Sequence, residues 1–566
     1  MAAGSLGVSG TVGIRAMFCL RLLMAPDLPR RLKLRLLSPT GTALCLCGIW
    51  LCLIAVQLSP CFEMNPDSGR YLALARSLAE GRGYTLEGRP CRSYPPGFPL
   101  MLSTVHSPER HDFRPEKLIV MLTGLGAMLG SWWLLSHRYD GRRLLMLSIL
   151  VAVSPALVRY CIRLRSDVPF FFFSVGFMAA ADLFWRSRRL SWRAGVISAA
   201  ALAAAAMTRA AGLVFYLAAF VWLVRSGLKR GQVRRCVVFA VVMTLIACPP
   251  ALGWILWVRG SAEGGGPSYG DYAQRGILKG VPLLSARGIS ALLAETRSVP
   301  SQLTNAAWTM FGVGGHTGGA LAGIVLVPLV LVGLLCRMRR PDPSDFCFCG
   351  YGLLILFWPD PQGTRLWLPV LPLLLGYLAD GVDGFGRLTE EFPRLMRWGW
   401  LRRVDCLLGG PRERIAWWGA LVLLVVGVTA GTGRAVQSWL ACRDAVGGVY
   451  LTSAPRDVAR FLNDSQERPI VLAYWRCLEV APAVTNPDAT VVQVPVPQEG
   501  GAAVLLVEMQ RRGITHLVIE RKIERPPRRK ELLDEARRLL MAKPHEYPLV
   551  SQTQYIQVFK LPTSGR

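Results

Sequence analysis

Apolar runs long enough to cross a bilayer recur along this chain, and arginines close off most of them. A run of about 20 apolar residues carries an α-helix through the hydrocarbon, where each backbone amide must be satisfied within its own segment. The runs fall at about 41–60, 118–136, 144–162, 168–185, 194–208, 211–225, 236–258, 319–337, 346–359, 366–380 and 416–434, about eleven spans. With 52% hydrophobic and only 18% charged positions among 566 residues, the chain fits neither a soluble multidomain enzyme nor a disordered one. The fold class expected is an α-helical polytopic membrane protein.

The basic clusters give an orientation. Arg138, Arg142 and Arg143 follow the second span, and Arg186, Arg188, Arg189 and Arg193 the fourth. Arg225, Lys229, Arg230, Arg234 and Arg235 follow the sixth, and Arg337, Arg339 and Arg340 the eighth. Six arginines between Arg394 and Arg414 follow the tenth. Cytoplasmic loops accumulate Lys and Arg, so even spans end inside. This accounts for the net charge of +28 without a nucleic-acid partner, and no DNA- or RNA-binding motif is present. Residues 1–40 are then a basic cytoplasmic N-terminus leading into an uncleaved anchor. Loop 61–117, loop 259–318 and the region 435–566 lie outside, the last as a small extracytoplasmic α/β domain beyond a transmembrane module 41–434. That region alternates β-rich pieces (Ile470–Tyr474, Thr490–Val496, His516–Ile519, Tyr555–Leu561) with helical patterns (Arg456–Asn463, Ala503–Arg512, Arg529–Met541). It carries no nucleotide fingerprint. Cys61 and Cys91 bracket the first loop and could pair if it faces an oxidising space, unpaired thiols being the alternative.

The first outer loop holds the most informative stretch. Asn65 is an N-cap candidate, Pro66 suits a first helical position, and Tyr71, Leu74, Ala75 and Leu78 share one face. A short helix along the membrane surface is expected, ended by Gly81-Arg82-Gly83-Tyr84. Asp67 falls in its first turn, where the helix dipole favours a carboxylate. Two readings of Asp67 are open, a reactive acid or merely a helix-starting charge. Tyr94-Pro95-Pro96-Gly97 follows as a stiff turn that rigidifies the loop and secondarily shapes a substrate site.

Between the third and fourth spans stand Arg163, Arg165, Ser166, Asp167 and Pro169. Arginines on the outer side need a partner. Phosphate suits the guanidinium fork, while an ion pair with Asp167 or contact with lipid headgroups is the plainer alternative. Arg209 and Arg365 also fall at outer ends, the latter before Pro369 and Pro372. Four outer arginines with two aspartates point to an anionic ligand and an acid–base step. His316, in a glycine-rich stretch at the outer end of the eighth span, is a structural residue or a substrate contact.

In order and placement, Asp67 with Tyr71 and Ala75, Gly81-Arg82-Gly83-Tyr84, Tyr94-Pro95-Pro96-Gly97, Arg165-Ser166-Asp167-Val168-Pro169, Arg209 with Gly212, and Arg365 before Pro369 and Pro372 resemble the GT-C superfamily of polyprenyl-phosphate-dependent glycosyltransferases. The branch is that of the protein O-mannosyltransferases and lipid A aminoarabinose transferases, and the pattern covers about 41–380. The resemblance implies a GT-C-like fold and inverting transfer of a sugar from a polyprenyl phosphate to an acceptor hydroxyl on the extracytoplasmic side. Asp67 matches the family's catalytic acid and would take the proton late, its ordinary pKa near 4 making it a weak base. Asp167 matches a second acidic position of the catalytic set, which would help position acceptor or sugar. Arg165, Arg209, Arg365 and Arg163 would hold the phosphate, with Tyr94 and His316 as further substrate contacts. Many relatives pair acids in the first loop, whereas Asp67 has no acidic neighbour. No cofactor is therefore expected, and a bridging divalent metal is not part of the reading.

The partners expected are the lipid-linked sugar donor, an acceptor lipid, glycan or protein, and membrane lipids. The location expected is a cell membrane, multi-pass, with a bacterial inner membrane favoured. A transporter or flippase for an anionic lipid or solute is the main alternative. Such proteins usually show related halves and polar residues at mid-membrane, and neither is visible here.

Overall fold

The computed structural model describes residues 38–391 apart from 56–57, 61, 64–65, 87–88, 108–111, 188–190, 229–231, 261–315 and 357–362. Beyond these it describes residues 449–450, 453–466, 470–474, 480, 489–492, 502–520 and 527–562. The helices are α1 (Pro39–Ala55), α2 (Pro66–Ala79), α3 (Gly97–Ser103), α4 (Arg114–Ser136), α5 (Gly141–Ala152), α6 (Pro155–Cys161), α7 (Asp167–Arg186), α8 (Trp192–Thr208), α9 (Leu213–Gly227), α10 (Val233–Gly260), α11 (His316–Met338), α12 (Pro343–Leu356), α13 (Leu371–Glu391), α14 (Ser453–Asp464), α15 (Ala502–Arg511) and α16 (Pro527–Ala542). The strands are β1 (Phe62–Glu63), β2 (Thr85–Leu86), β3 (Arg89–Pro90), β4 (Val449–Tyr450), β5 (Ile470–Ala473), β6 (Ala489–Val492), β7 (His516–Glu520), β8 (Leu549–Gln552) and β9 (Ile556–Lys560).

The chain divides into two compact units. The first comprises Met1–Leu58, Glu87–Met101 and Lys117–Ala435. Ten of the apolar runs coincide with helices in it, and the run 416–434 lies outside the described residues. Among the described residues, five helices are long and apolar enough to cross a membrane, and the bent pair α5–α6 makes a sixth. Shorter apolar helices, α8 and α12 among them, accompany these. The chain is thus mostly helical in this unit, with several apolar helices.

Proline sets the breaks. Pro155 opens α6 after a 47° bend from α5. Pro249 and Pro250 lack the N–H groups that the preceding turn would accept, and a π turn forms at Met243–Ala247 just before them. Small residues set the close contacts. The alanine-rich α8 buries Ser198, Ala199, Leu202, Ala205 and Ala206, and it packs on α7. A Cβ on Gly333 of α11 would collide with the Tyr377 carbonyl of α13, and one on Gly381 with the Leu329 carbonyl. The two helices cross at backbone contact, which only glycine permits.

Charge ties one end of this bundle. Arg138, fully buried just after α4, reaches Asp345 at 2.8 Å and Asp182 at 3.7 Å. Ser344 donates its hydroxyl (2.7 Å) and its N–H (3.1 Å) to Asp182. The Tyr377 hydroxyl donates to Asp345 at 2.5 Å. Arg186 pairs with Asp342, Arg143 with Asp383 at 2.6 Å, and Arg337 with Asp380 at 3.1 Å. Four of the arginines read for orientation, Arg138, Arg143, Arg186 and Arg337, are therefore also the cationic half of an ion network, whose acids come from α7, α13, the start of α12 and Asp342 just before it.

The second unit comprises Ser59–Leu86, Leu102–Glu116 and Val436–Arg566. Its sheet runs β6-β5-β7-β9-β8, with β6, β5 and β7 parallel and β9 antiparallel to both β7 and β8. Alternating apolar residues of the strands and the inner faces of α15 and α16 form its core, including Leu505, Met509, Leu517, Ile519, Leu533, Leu540 and Phe559. The two-residue β1 from the first loop pairs in parallel with β4, placing Phe62 opposite Val449 and Glu63 opposite Tyr450.

Candidate active site

In the first unit the site gathers at the opposite end of α7 from the ion network. Asp167 opens α7 and is buried. Arg209 caps the end of α8 in an extended conformation (φ −148°, ψ 135°). That kink turns its side chain out of the helical path and onto Asp167, with which it forms an ion pair. The guanidinium also lies over the Phe170 ring, 5.9 Å from its centroid. Gly212 makes the turn feasible, because a Cβ there would lie 2.7 Å from the Ala206 nitrogen.

The Tyr94–Gly97 turn belongs to the same end. A Cβ on Gly97 would lie 2.6 Å from the Met207 carbonyl oxygen, so this backbone rests on the last turn of α8, directly before Arg209. Tyr94 is half-buried beside it in sequence. Arg163 and Arg165 are half-buried in the turns joining α6 to α7. The Arg165 Nε is sealed from solvent and finds no hydrogen-bond partner among the described residues.

Arg365 sits in a 3₁₀ turn, Gly363–Val370, that continues into α13. Pro369 inside it lacks the N–H of a regular helix, so the expected span begins as a tighter coil. The turn packs on α6 and α7, and the Thr364 hydroxyl approaches the Tyr160 hydroxyl at 3.5 Å. Arg165, Asp167, Arg209 and the Arg365 turn thus come from segments that pack together. His316 is the first residue of α11, and its side chain lies outside the described residues.

Asp67 belongs to the second unit. It lies half-buried in the first turn of α2, the helix expected from the sequence. Asn65, the proposed cap, lies outside the described residues. Gly81 and Gly83 end the helix region with φ of 72° and 76°, a conformation that glycine adopts without strain. Tyr71, Leu74 and Ala75 are buried and Leu78 is half-buried. Ser68, Leu72 and Ser77 are buried too, so α2 is enclosed over a wider arc than one apolar stripe. Cys91 is buried, and Cys61 lies outside the described residues. Among the described residues no three His, Cys, Asp or Glu side chains are grouped to hold a metal ion.

From the sequence Asp167 reads as a second catalytic acid and Arg209 as a phosphate contact. The sequence does not show that they pair with each other, nor that Phe170 lies under the guanidinium.

Residues 93–254 match the model of a family described as dolichyl-phosphate-mannose-protein mannosyltransferase. No curated protein sequence matches the chain. Among solved structures, ArnT from Cupriavidus metallidurans bound to undecaprenyl phosphate aligns with a TM-score of 0.55 at 14% identity, covering 93% of this chain and 99% of that one. The apo state of the same protein aligns with a TM-score of 0.51 at 14% identity, covering 92% and 98%. The archaeal oligosaccharyltransferase AglB from Archaeoglobus fulgidus is more distant, at 0.49 and 12% identity over 85% of this chain and 69% of that one. In fold, and over residues 93–254 in sequence, the chain is similar to the GT-C superfamily of polyprenyl-phosphate-dependent glycosyltransferases.

Proposed function

We propose that the chain is an integral membrane glycosyltransferase moving a sugar from a polyprenyl-phosphate donor to an acceptor hydroxyl, with inversion. The observation that carries the reading is the gathering of Arg165, the Asp167–Arg209 pair and the Arg365 turn at one end of α7. That gathering occurs in a fold like that of a protein bound to undecaprenyl phosphate.

In this mechanism Arg165, Arg209 and Arg365 hold the lipid phosphate, with Arg163 at the margin. The acceptor oxygen attacks the anomeric carbon as the bond from that carbon to the phosphate oxygen breaks. Both electrons leave with the phosphate, whose growing charge the guanidiniums stabilise. Asp67 orients the attacking hydroxyl and takes its proton as the new bond forms. Asp167 sets the direction of Arg209. Tyr94 and His316 contact substrate, and no metal or other cofactor takes part. The chemistry takes place on the extracytoplasmic side of a multi-pass membrane protein, in a bacterial inner membrane.

The test is direct. Membranes containing the protein are given radiolabelled polyprenyl-phosphate hexoses and pentoses, and label is followed into lipid, glycan and protein fractions. Covalent transfer above membranes lacking the protein is expected with at least one sugar. Movement of the intact donor across the membrane without covalent transfer would favour a flippase instead.

The Asp167–Arg209 pair makes a separable prediction. Arg209→Ala leaves a buried carboxylate without its countercharge, which typically costs about 3–5 kcal/mol. Adding Asp167→Ala removes that carboxylate and is expected to restore part of the lost stability. Transfer stays low in both variants, because the phosphate ligand is gone. Thermal unfolding in detergent and the transfer assay together check this, and strictly additive destabilisation would contradict the pairing.

A further inference from the structure

Three ties fix the chain around Asp67 in the second unit. Upstream, the Phe113 N–H donates to the Pro60 carbonyl at 2.8 Å. Downstream of α2, the Ser77 hydroxyl bonds the Gly83 carbonyl at 2.9 Å and the Thr85 hydroxyl at 2.7 Å. Both of these are made within the first loop. The third is the parallel pairing of Phe62–Glu63 with Val449–Tyr450, which come from far along the chain.

A two-residue parallel ladder has little stability of its own, and closing so long a loop costs entropy. The surrounding unit must therefore support it. Residues 59–86 and 436–566 indeed fall into one compact unit. The pairing also sits where leverage is greatest, since Glu63 precedes Asp67 by one helical turn's worth of residues and α2 starts at Pro66. With Glu63 tied to Tyr450, the point from which α2 starts, three residues on at Pro66, is restrained.

We propose that β4 is a positioning element for Asp67, so that the C-terminal region sets the catalytic carboxylate rather than serving only to choose an acceptor. The proposal rests on the transferase reading given above. A shift of about 1 Å in a reacting group can cost about 10²-fold in rate, so the backbone tie has a kinetic signature.

The test uses the full chain in membranes. Successive strand residues point their N–H groups to opposite sides, so one of Val449→Pro and Tyr450→Pro removes the N–H facing β1 and both fix φ, whereas Val449→Ala and Tyr450→Ala leave the backbone free to pair. At least one of the proline variants is expected to lose about tenfold to a hundredfold in kcat with an unchanged donor KM, and the alanine variants to stay within about twofold of the parent. A second measurement needs no activity. Adjacent strands bring opposite Cα atoms to about 4.8 Å, within disulfide range. Oxidised Glu63→Cys/Tyr450→Cys protein should therefore yield the cross-linked peptide by mass spectrometry, with kcat retained. Parental kcat in both proline variants would overturn the proposal, as would equal losses in the proline and alanine variants. Loss of donor affinity in step with kcat, or absence of the cross-linked peptide, would overturn it too. If the parent protein transfers no sugar, the transferase reading fails, while the cross-link still reports on the pairing.

Discussion

Asp67→Asn is expected to lower sugar transfer by about 10²–10⁴-fold, the usual worth of a general base. Asparagine keeps the size of the side chain and suits the first turn of α2, so the helix should persist. What it loses is the proton acceptor and the negative charge. Donor binding should be unchanged, because the phosphate ligands proposed above come from the first unit and Asp67 is not one of them. The measurement pairs initial rates with binding of a photoreactive polyprenyl phosphate. A variant that binds and turns over like the parent would remove Asp67 from the reaction. One that fails to bind would assign it to the donor instead.

The second large effect is on folding. Arg138→Met should cost about 3–5 kcal/mol and sharply reduce the folded protein recovered from membranes, because it strands buried carboxylates without their cation. Asp345 loses its 2.8 Å partner and Asp182 its 3.7 Å one, and both side chains are fully buried. Arg138→Lys should fall between: both bonds leave the single nitrogen Nη2, to Ser344 (2.5 Å) and Asp345 (2.8 Å), so an ammonium keeps the charge, but on a shorter stem that must shift to reach both. The network lies at the far end of α7 from Asp167, so whatever protein does fold should keep parental turnover per molecule. Detergent size-exclusion yield and thermal unfolding read the first expectation, and specific activity reads the second. Parental yield for Arg138→Met would show that the network does not hold the bundle.

Much of the helical framework was legible because its cause is local. A run such as 168–185 satisfies the thickness of a bilayer wherever it occurs, and α7 (Asp167–Arg186) coincides with it. Local turn chemistry was equally readable, and Gly81 and Gly83 stop the α2 region where their sequence says they should. Strands β5, β6, β7 and β9 coincide with the β-rich pieces of the C-terminal region, whose alternation with helices is a short-range signal. Partners set by the fold were not readable. Nothing near Asp167 in sequence indicates Arg209, which reaches it only because α8 returns alongside α7 and ends in an extended residue. The basic clusters were read for orientation alone, since Asp342 and Asp345 lie some two hundred positions from Arg138. At two residues each, β1 and β4 are too short to carry any pattern.

The unit holding Asp67 is assembled from residues 59–86, 102–116 and 436–566, so its pieces leave the ribosome at opposite ends of synthesis. Every helix of the described bundle is translated before the closing strand exists. A message truncated after the bundle would therefore yield a protein that inserts but lacks the strand that pairs with Phe62–Glu63. Premature termination and proteolytic trimming should register as lost activity well before they register as lost membrane protein.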